Sequence, residues 1–258
     1  MHKEKVRFRS GDYDLVGLVD IPNKTPAPGV VLYHGLTNAK EDCPLINETA
    51  EMLVDEGYVT LRFDFFGSGE SPGEMSDKTI SLLTRNANDA IEYFLKLPYT
   101  QKKIGLWGRS IGGTVIALCG LNPHVKARVF LSPGILLVDG FGHFGEIKER
   151  KMELERAGKT LPGTGKYKGP FILNRKFYSE LPMIEKGILR NLEKMNNVLV
   201  IATTPDIKVK LENSTIIINK AKDPKEIHIF EGVDHSYKGA EEKVLELVKK
   251  WFAKFLKV

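Results

Sequence analysis

Short, continuously apolar runs alternate with stretches of helical spacing along most of this chain. Lys5 to Arg9 and Leu15 to Ile21 read as two strands joined by the turn Ser10-Gly11-Asp12, so the pattern predicts an opening antiparallel hairpin. Pro22 to Gly29 is a proline-rich connection. Val30 to Tyr33 is then a run of the kind buried on both faces of a sheet, and Leu45 to Glu56 carries Ile46, Ala50, Leu53 and Val54 at helical spacing. Tyr58 to Phe63 predicts the next strand, and Ile80 to Leu95 a helix with Ile80, Leu83, Ala87, Ala90, Ile91 and Phe94 on one side. Lys103 to Trp107 is a further strand and Gly113 to Leu118 the start of its helix. Ala127 to Leu131, Val198 to Ala202 and Glu226 to Phe230 complete the buried strands, and Ala240 to Leu256 is an amphipathic closing helix. Such alternation implies an α/β fold whose mostly parallel sheet is covered on both faces. Ligands on sheets of this kind bind beyond the carboxyl ends of the strands.

One interval breaks the rhythm. Pro133 to Asn197 separates consecutive strand runs by far more than the two to six residues usual for such connections. It carries a surplus of Lys and Arg over Asp and Glu, and it holds Phe141, Phe144, Tyr167, Phe171, Phe177 and Tyr178. The expected organisation is a core of residues 1–132 and 198–258 with an inserted cap, 133–197, placed before the strand Val198 to Ala202. A lid over a substrate pocket is the functional reading of the cap, and a peripheral decoration or oligomer contact the structural one.

Between the strand ending at Trp107 and the following helix lies Gly108-Arg109-Ser110-Ile111-Gly112. A glycine-flanked serine on a sharp strand-to-helix turn is the nucleophile elbow: side chains two positions to either side would meet the neighbouring strand and helix. The Ile111 amide then stands at a helix N-terminus, where it can face an oxyanion. Gly69-Glu70-Ser71-Pro72-Gly73 matches the same pattern. It fails physically, because Pro72 has no N–H to donate, so Ser71 reads as a loop residue.

A serine hydroxyl needs an imidazole to take its proton and a carboxylate to orient that imidazole. Of six histidines, His2 lies near a terminus, His124 in a surface turn, His228 inside a strand, His143 in the insertion and His34 at a strand end. His235, in Gly232-Val233-Asp234-His235-Ser236, follows the last strand and reaches the edge where Ser110 emerges, so it is the expected base. Asp206, directly after Val198 to Ala202, is the expected acid; Asp234, Asp223 and Glu231 are weaker alternatives. The order Ser, Asp, His along the chain is that of the α/β-hydrolases. Leu36, after Tyr33-His34-Gly35, is the natural second oxyanion donor, with His34 shaping its loop by hydrogen bonding.

Composition removes several alternatives. With 258 residues and a formal net charge of +5 the chain is long enough for a substantial core, and its basic residues are mixed with acidic ones rather than gathered as a nucleic-acid stripe. No run approaches the eighteen apolar residues of a membrane span, and the N-terminal stretch lacks a secretory apolar core, so a soluble cytoplasmic protein is the expectation. Cys43 and Cys119 make no disulfide framework or metal spacing, and the Gly-rich Asp64 to Ser71 fits no phosphate cradle. No cofactor or metal is implied. The expected partner is a small-molecule ester, with no nucleic acid and no membrane insertion; a homodimer stays open.

With these residues in place, the whole chain resembles the serine α/β-hydrolases, and more narrowly the small intracellular cinnamoyl and feruloyl esterases and their monoacylglycerol-lipase-like relatives. The resemblance rests on His34-Gly35, Asp64 to Ser71, Gly108 to Gly113, Pro205-Asp206 and Asp234-His235-Ser236. It implies that the insertion is a cap recognising aromatic acyl groups, with Gly163 to Tyr178 similar to its hairpin portion, and that His34, Gly35, Arg109, Phe141, Phe144, Tyr167 and Phe171 face substrate. Two positions depart from the family: Ala202-Thr203-Thr204-Pro205-Asp206 lacks the glycine of the usual Gly-Thr-x-Asp segment, and Arg109 stands where histidine is common. The implied activity is hydrolysis of short-chain or aromatic carboxylic esters through an acyl-enzyme. The alternatives are a monoacylglycerol lipase, a thioesterase, or an inactive ligand-binding member of the fold; peptidase activity is disfavoured.

Overall fold

A computed structural model describes residues 2–138, 161–162, 170–171, 173 and 175–257. Ten strands occur among them: β1 (His2–Ser10), β2 (Tyr13–Ile21), β3 (Ala27–Tyr33), β4 (Val59–Phe63), β5 (Thr100–Arg109), β6 (Val125–Leu131), β7 (Leu161–Pro162), β8 (Pro170–Phe171), β9 (Val198–Thr204) and β10 (Lys225–Glu231). Eight form one sheet in the order β1-β2-β4-β3-β5-β6-β9-β10, while β7 and β8 pair separately. The β1–β2 hairpin is antiparallel and joins β4 antiparallel; from β4 to β10 every pairing is parallel.

The continuous apolar runs follow from burial on both faces. Along β3, Val31 and Tyr33 enter one core and Val30 and Leu32 the other, as the two-residue period of a strand requires. The first core is closed by α2 (Ile80–Leu95) and α3 (Ile111–Cys119), the second by α1 (Pro44–Asp55) and by the C-terminal α6 (Glu241–Leu256), which buries Val244, Val248, Trp251, Phe252 and Leu256. Thr79 caps α2, its hydroxyl accepting the Leu82 amide at 3.1 Å. This is the α/β-hydrolase fold.

Two helices lie where no helix is expected from the sequence pattern. α4 (Arg175–Leu192) falls inside the interval 133–197, yet it buries Phe177, Leu181, Ile188 and Leu192 in the first core. Glu180 accepts the backbone amides of Ile80 and Ser81 at the start of α2, and the Asn191 side-chain NH₂ donates to the Ala117 carbonyl at 3.1 Å. Pro182 inside α4 costs about 3 kcal/mol, and four buried apolar side chains at about 1.5–3 kcal/mol each outweigh it. α5 (Glu212–Lys220) follows β9. β10 also departs from expectation: it is the sheet's outer strand and is half-exposed, so His228 is held by an exposed contact 3.7 Å from Glu226 and not by core packing.

The paired β7 and β8, Leu161 opposite Phe171 and Pro162 opposite Pro170, bracket residues 163–169. Phe141, Phe144 and Tyr167 lie outside the described residues, as do 139–160. No helix among the described residues is long and apolar enough to cross a membrane.

Candidate active site

The loops after β3, β5, β9 and β10 emerge at one edge of the sheet, because all four strands run in the same direction. β5 ends at Arg109, and Ser110 turns the chain into α3 with φ 56° and ψ −119°. A serine in the left-handed region carries about 1–3 kcal/mol of strain and persists only where its surroundings over-determine it. Here the Ser110 amide donates to the Leu131 carbonyl at 2.9 Å, and the Ser110 carbonyl accepts from Gly113, Thr114 and Gly134.

Two glycines make room for this turn. A Cβ on Gly108 would lie 2.6 Å from the Gly112 carbonyl group, and one on Gly112 would lie 2.4 Å from the Tyr33 carbonyl oxygen. Both obstacles are backbone, so neither can swing aside. Gly112→Ala is expected to lower stability by about 2–4 kcal/mol, read as a lower midpoint in urea unfolding with an unchanged slope.

Asp206 and His235 meet across the loops after β9 and β10. The Nδ1–H of His235 donates to Asp206 Oδ2 at 2.7 Å, and the two side chains are 10% and 1% exposed. The other carboxylate oxygen, Oδ1, accepts the amides of Lys208 at 2.9 Å and Val209 at 3.0 Å. Burial alone would raise the Asp206 carboxyl; its bond to His235, the imidazole's charge and the two amides hold it below its usual value. Burial pushes the His235 imidazole down, and the charges of Arg109 and Lys208 push the same way, against the pull of Asp206. The net result is a neutral ring beside an ionised carboxylate. Asp234, the neighbour in sequence, is turned away: its carboxylate accepts the Ser236 amide at 2.8 Å and the Ser236 hydroxyl.

Around this pair the described side chains are locked. Tyr237 donates to the Ile201 carbonyl at 2.7 Å and shares a 2.9 Å bond with the Ser132 hydroxyl. His34 is buried, its Nδ1 bonded to the Gly35 carbonyl at 2.7 Å and its Nε2 accepting the Phe65 amide at 3.1 Å. Those partners assign the proton to Nδ1, and burial followed by the Lys78 charge takes the ring down to about 4. Expected to face substrate, His34 has neither ring nitrogen left for one. Arg109 donates to the Asn38 side-chain oxygen at 2.9 Å, which ties the turn at Ser110 to the loop after β3. Phe171 belongs to β8. Ser71 is a strut: its hydroxyl donates to the Asp64 carbonyl at 2.6 Å and accepts the Val16 amide at 3.0 Å.

Asn38, Tyr237 and Lys78 escape a reading of the sequence. Asn38 sits in a loop, Tyr237 reads as one more aromatic, and a lysine flanking a helix reads as solvated. Lys78 is instead fully buried, its ammonium donating to the Leu36 carbonyl at 3.0 Å and to the Ser68 hydroxyl at 2.6 Å. The free thiol of Cys119 is buried near the Tyr33 hydroxyl and pushed up to about 12, which leaves it inert.

Comparison with known proteins places this arrangement. The chain is 27% identical over 144 residues to an uncharacterised 31.7 kDa protein from the traX-finO intergenic region of Escherichia coli, a match covering 54% of this chain and 50% of that one. It is 26% identical over 122 residues to a putative carboxymethylenebutenolidase of Aquifex aeolicus, covering 43% and 52%. The chain thus spans about half the length of the relatives it matches. Among solved structures, Est1E from Butyrivibrio proteoclasticus with bound ferulic acid superposes over 98% of this chain and 100% of that one, with a TM-score of 0.78 and 22% identity, a likeness of fold. The family model for serine aminopeptidase, S33, matches residues 24–164, more than half of the chain and including the Ser110 turn, and this protein is a member of that family.

Proposed function

We infer that the protein is a serine ester hydrolase that works through an acyl-enzyme on Ser110. The observation that carries this reading is the 2.7 Å bond between Asp206 and His235 at the edge of the sheet where β5 turns through Ser110. His235 accepts the Ser110 proton at Nε2 as Oγ attacks the ester carbonyl. Asp206, holding Nδ1–H, keeps Nε2 free to accept and stabilises the imidazolium. The amides of Ile111 and Leu36 take the negative oxygen of the tetrahedral intermediate. The proton passes from His235 to the leaving alcohol; the same ring then draws a proton from water as its oxygen attacks the acyl carbonyl, and returns that proton to Ser110 Oγ as the acid leaves.

Short-chain and aromatic acids are the proposed acyl groups, with the insertion 133–197 supplying a cap over the pocket and Gly35, Arg109, Phe141, Phe144, Tyr167 and Phe171 facing substrate. The aromatic content of that stretch supports this, together with the likeness to a ferulic-acid-bound esterase. The Aquifex aeolicus relative is described as a putative carboxymethylenebutenolidase, a name for opening a butenolide lactone, itself an internal ester. The family's description favours a second reading, cleavage of an amino-terminal peptide bond. Turnover of methyl ferulate, p-nitrophenyl butyrate, a monoacylglycerol, an acyl-CoA and an aminoacyl p-nitroanilide separates these readings. Hydrolysis of the anilide alone overturns the esterase reading, as does failure of all five with an unlabelled Ser110 in the presence of a reactive phosphonate.

The lowered His235 titration has a direct consequence for pH dependence. The ring must be neutral to act as base, and its folded pKa lies below the ordinary 6.5. The acid limb of kcat/KM for p-nitrophenyl butyrate is therefore expected at a midpoint below 6.5, with activity persisting into mildly acidic buffer. A pH profile from about 4 to 8 checks the sign.

A further inference from the structure

Lys78 stands between the short turn Met75–Asp77 and α2, with no exposed surface. Lysine is almost never taken fully out of water without a partner or a task. Its ammonium spans two loops that flank the candidate oxyanion site: it donates to the Leu36 carbonyl in the loop after β3 and to the Ser68 hydroxyl in the loop after β4. The loop after β4 is itself fixed by Asp64, whose carboxylate accepts the Lys40 amide and ammonium and the Glu70 amide.

We propose that Lys78 is a positioning residue for ester hydrolysis: by gripping the Leu36 carbonyl it sets the backbone of Leu36 so that the adjoining amide meets the oxyanion, and it places a positive charge behind that amide. This rests on the reading of Leu36 as an oxyanion donor. The amide and the carbonyl of Leu36 belong to successive peptide planes. With one plane anchored, only φ and ψ at the shared α-carbon are left to aim the other, so the grip narrows the range of positions open to the amide. A charged donor makes a bond about twice as strong as a neutral one, so the grip weakens when the amine loses its proton.

That loss falls within the working range. Burial brings the Lys78 ammonium down to about 7, with the charge of Asp64 pulling the other way. Lys40 and Glu70 share the Asp64 network, joined by a 2.7 Å ion pair. His34, buried at the end of β3, is held neutral in part by Lys78 and Arg109, while Glu74 and Asp77 precede Lys78 on its own segment. As pH rises through about 7 the charge behind Leu36 disappears, and kcat falls with it.

The test compares wild type with Lys78→Met, which keeps the unbranched apolar stem and removes the ammonium, and Lys78→Arg, which keeps its charge at every accessible pH. Each is assayed on p-nitrophenyl butyrate between about pH 6 and 9, with melting temperature recorded alongside. Lys78→Met is expected to lose about tenfold or more in kcat, short of the loss on removing a direct oxyanion donor. Its KM stays within about twofold and its alkaline limb is gone. Lys78→Arg is expected to restore most of kcat and to show no alkaline limb near neutrality. A folded Lys78→Met with wild-type kcat and profile overturns the proposal, and so does a loss of kcat that leaves the alkaline limb intact. If either variant fails to fold, wild type decides: the midpoint of the kcat limb must coincide with the Lys78 amine titration followed by NMR, and a mismatch overturns the proposal. A wild type that neither hydrolyses esters nor takes a phosphonate at Ser110 overturns the esterase reading itself.

Discussion

Ser110→Ala is expected to lower kcat for p-nitrophenyl butyrate by about 10⁶-fold and to abolish labelling by a reactive phosphonate. The hydroxyl is the only part of the turn that the substitution removes. Its strained backbone is set by the bonds to Leu131, Gly113, Thr114 and Gly134, and alanine leaves all of them in place. Stability is therefore expected to change little, and ligand binding to persist. Residual turnover well above that level in a correctly folded variant moves the nucleophile elsewhere.

Asp206→Asn carries the second largest expected effect, a loss of about 10⁴-fold in kcat with the geometry kept. The reason lies in the two ends of the carboxylate. Oδ1 accepts two backbone amides, from Lys208 and Val209, so the oxygen of an asparagine must take that place. Its NH₂ group then faces His235 Nδ1, where a carboxylate oxygen had accepted a hydrogen bond. The imidazole responds by accepting at Nδ1 and carrying its hydrogen on Nε2, the tautomer that cannot take a proton from Ser110. Asp206→Ala, which lets the ring titrate without this forced tautomer, is expected to lose less. Steady-state kinetics on the pair reads the difference, and equal activity of Asp206→Asn and wild type assigns the acid to another residue.

Most of the sheet was legible because its strands are short apolar runs between turn residues, and a strand covered on both faces has no other way to be written. The Ser110 turn was legible for a related reason: glycines at 108 and 112 answer to backbone a few ångströms away, a requirement that shows in the sequence. α5 was not, since Thr215, Ile216, Ile217 and Ile218 are β-branched and locally favour a strand; packing of Ile217 and the hold of the Asn213 side-chain oxygen on the amides of Ile135 and Leu136, in the loop after β6, override that preference. α4 was hidden by its setting. Phe177, Leu181, Ile188 and Leu192 recur at helical spacing, but Pro182, Gly187 and abundant charge dilute the pattern inside an interval too long for a connection. The burial of Lys78 and the tie between Arg109 and Asn38 join residues 42 and 71 positions apart, and no local rule reaches so far.

The outermost position of β10 bears on how the protein loses activity. The imidazole hangs from a strand that is hydrogen-bonded on one flank alone, whereas the serine hangs from β5 in the middle of the sheet. Fraying begins at margins, so on mild heating His235 is expected to leave its place before Ser110 leaves its bend. Activity is therefore expected to fall on warming before the interior melts, and to return on cooling.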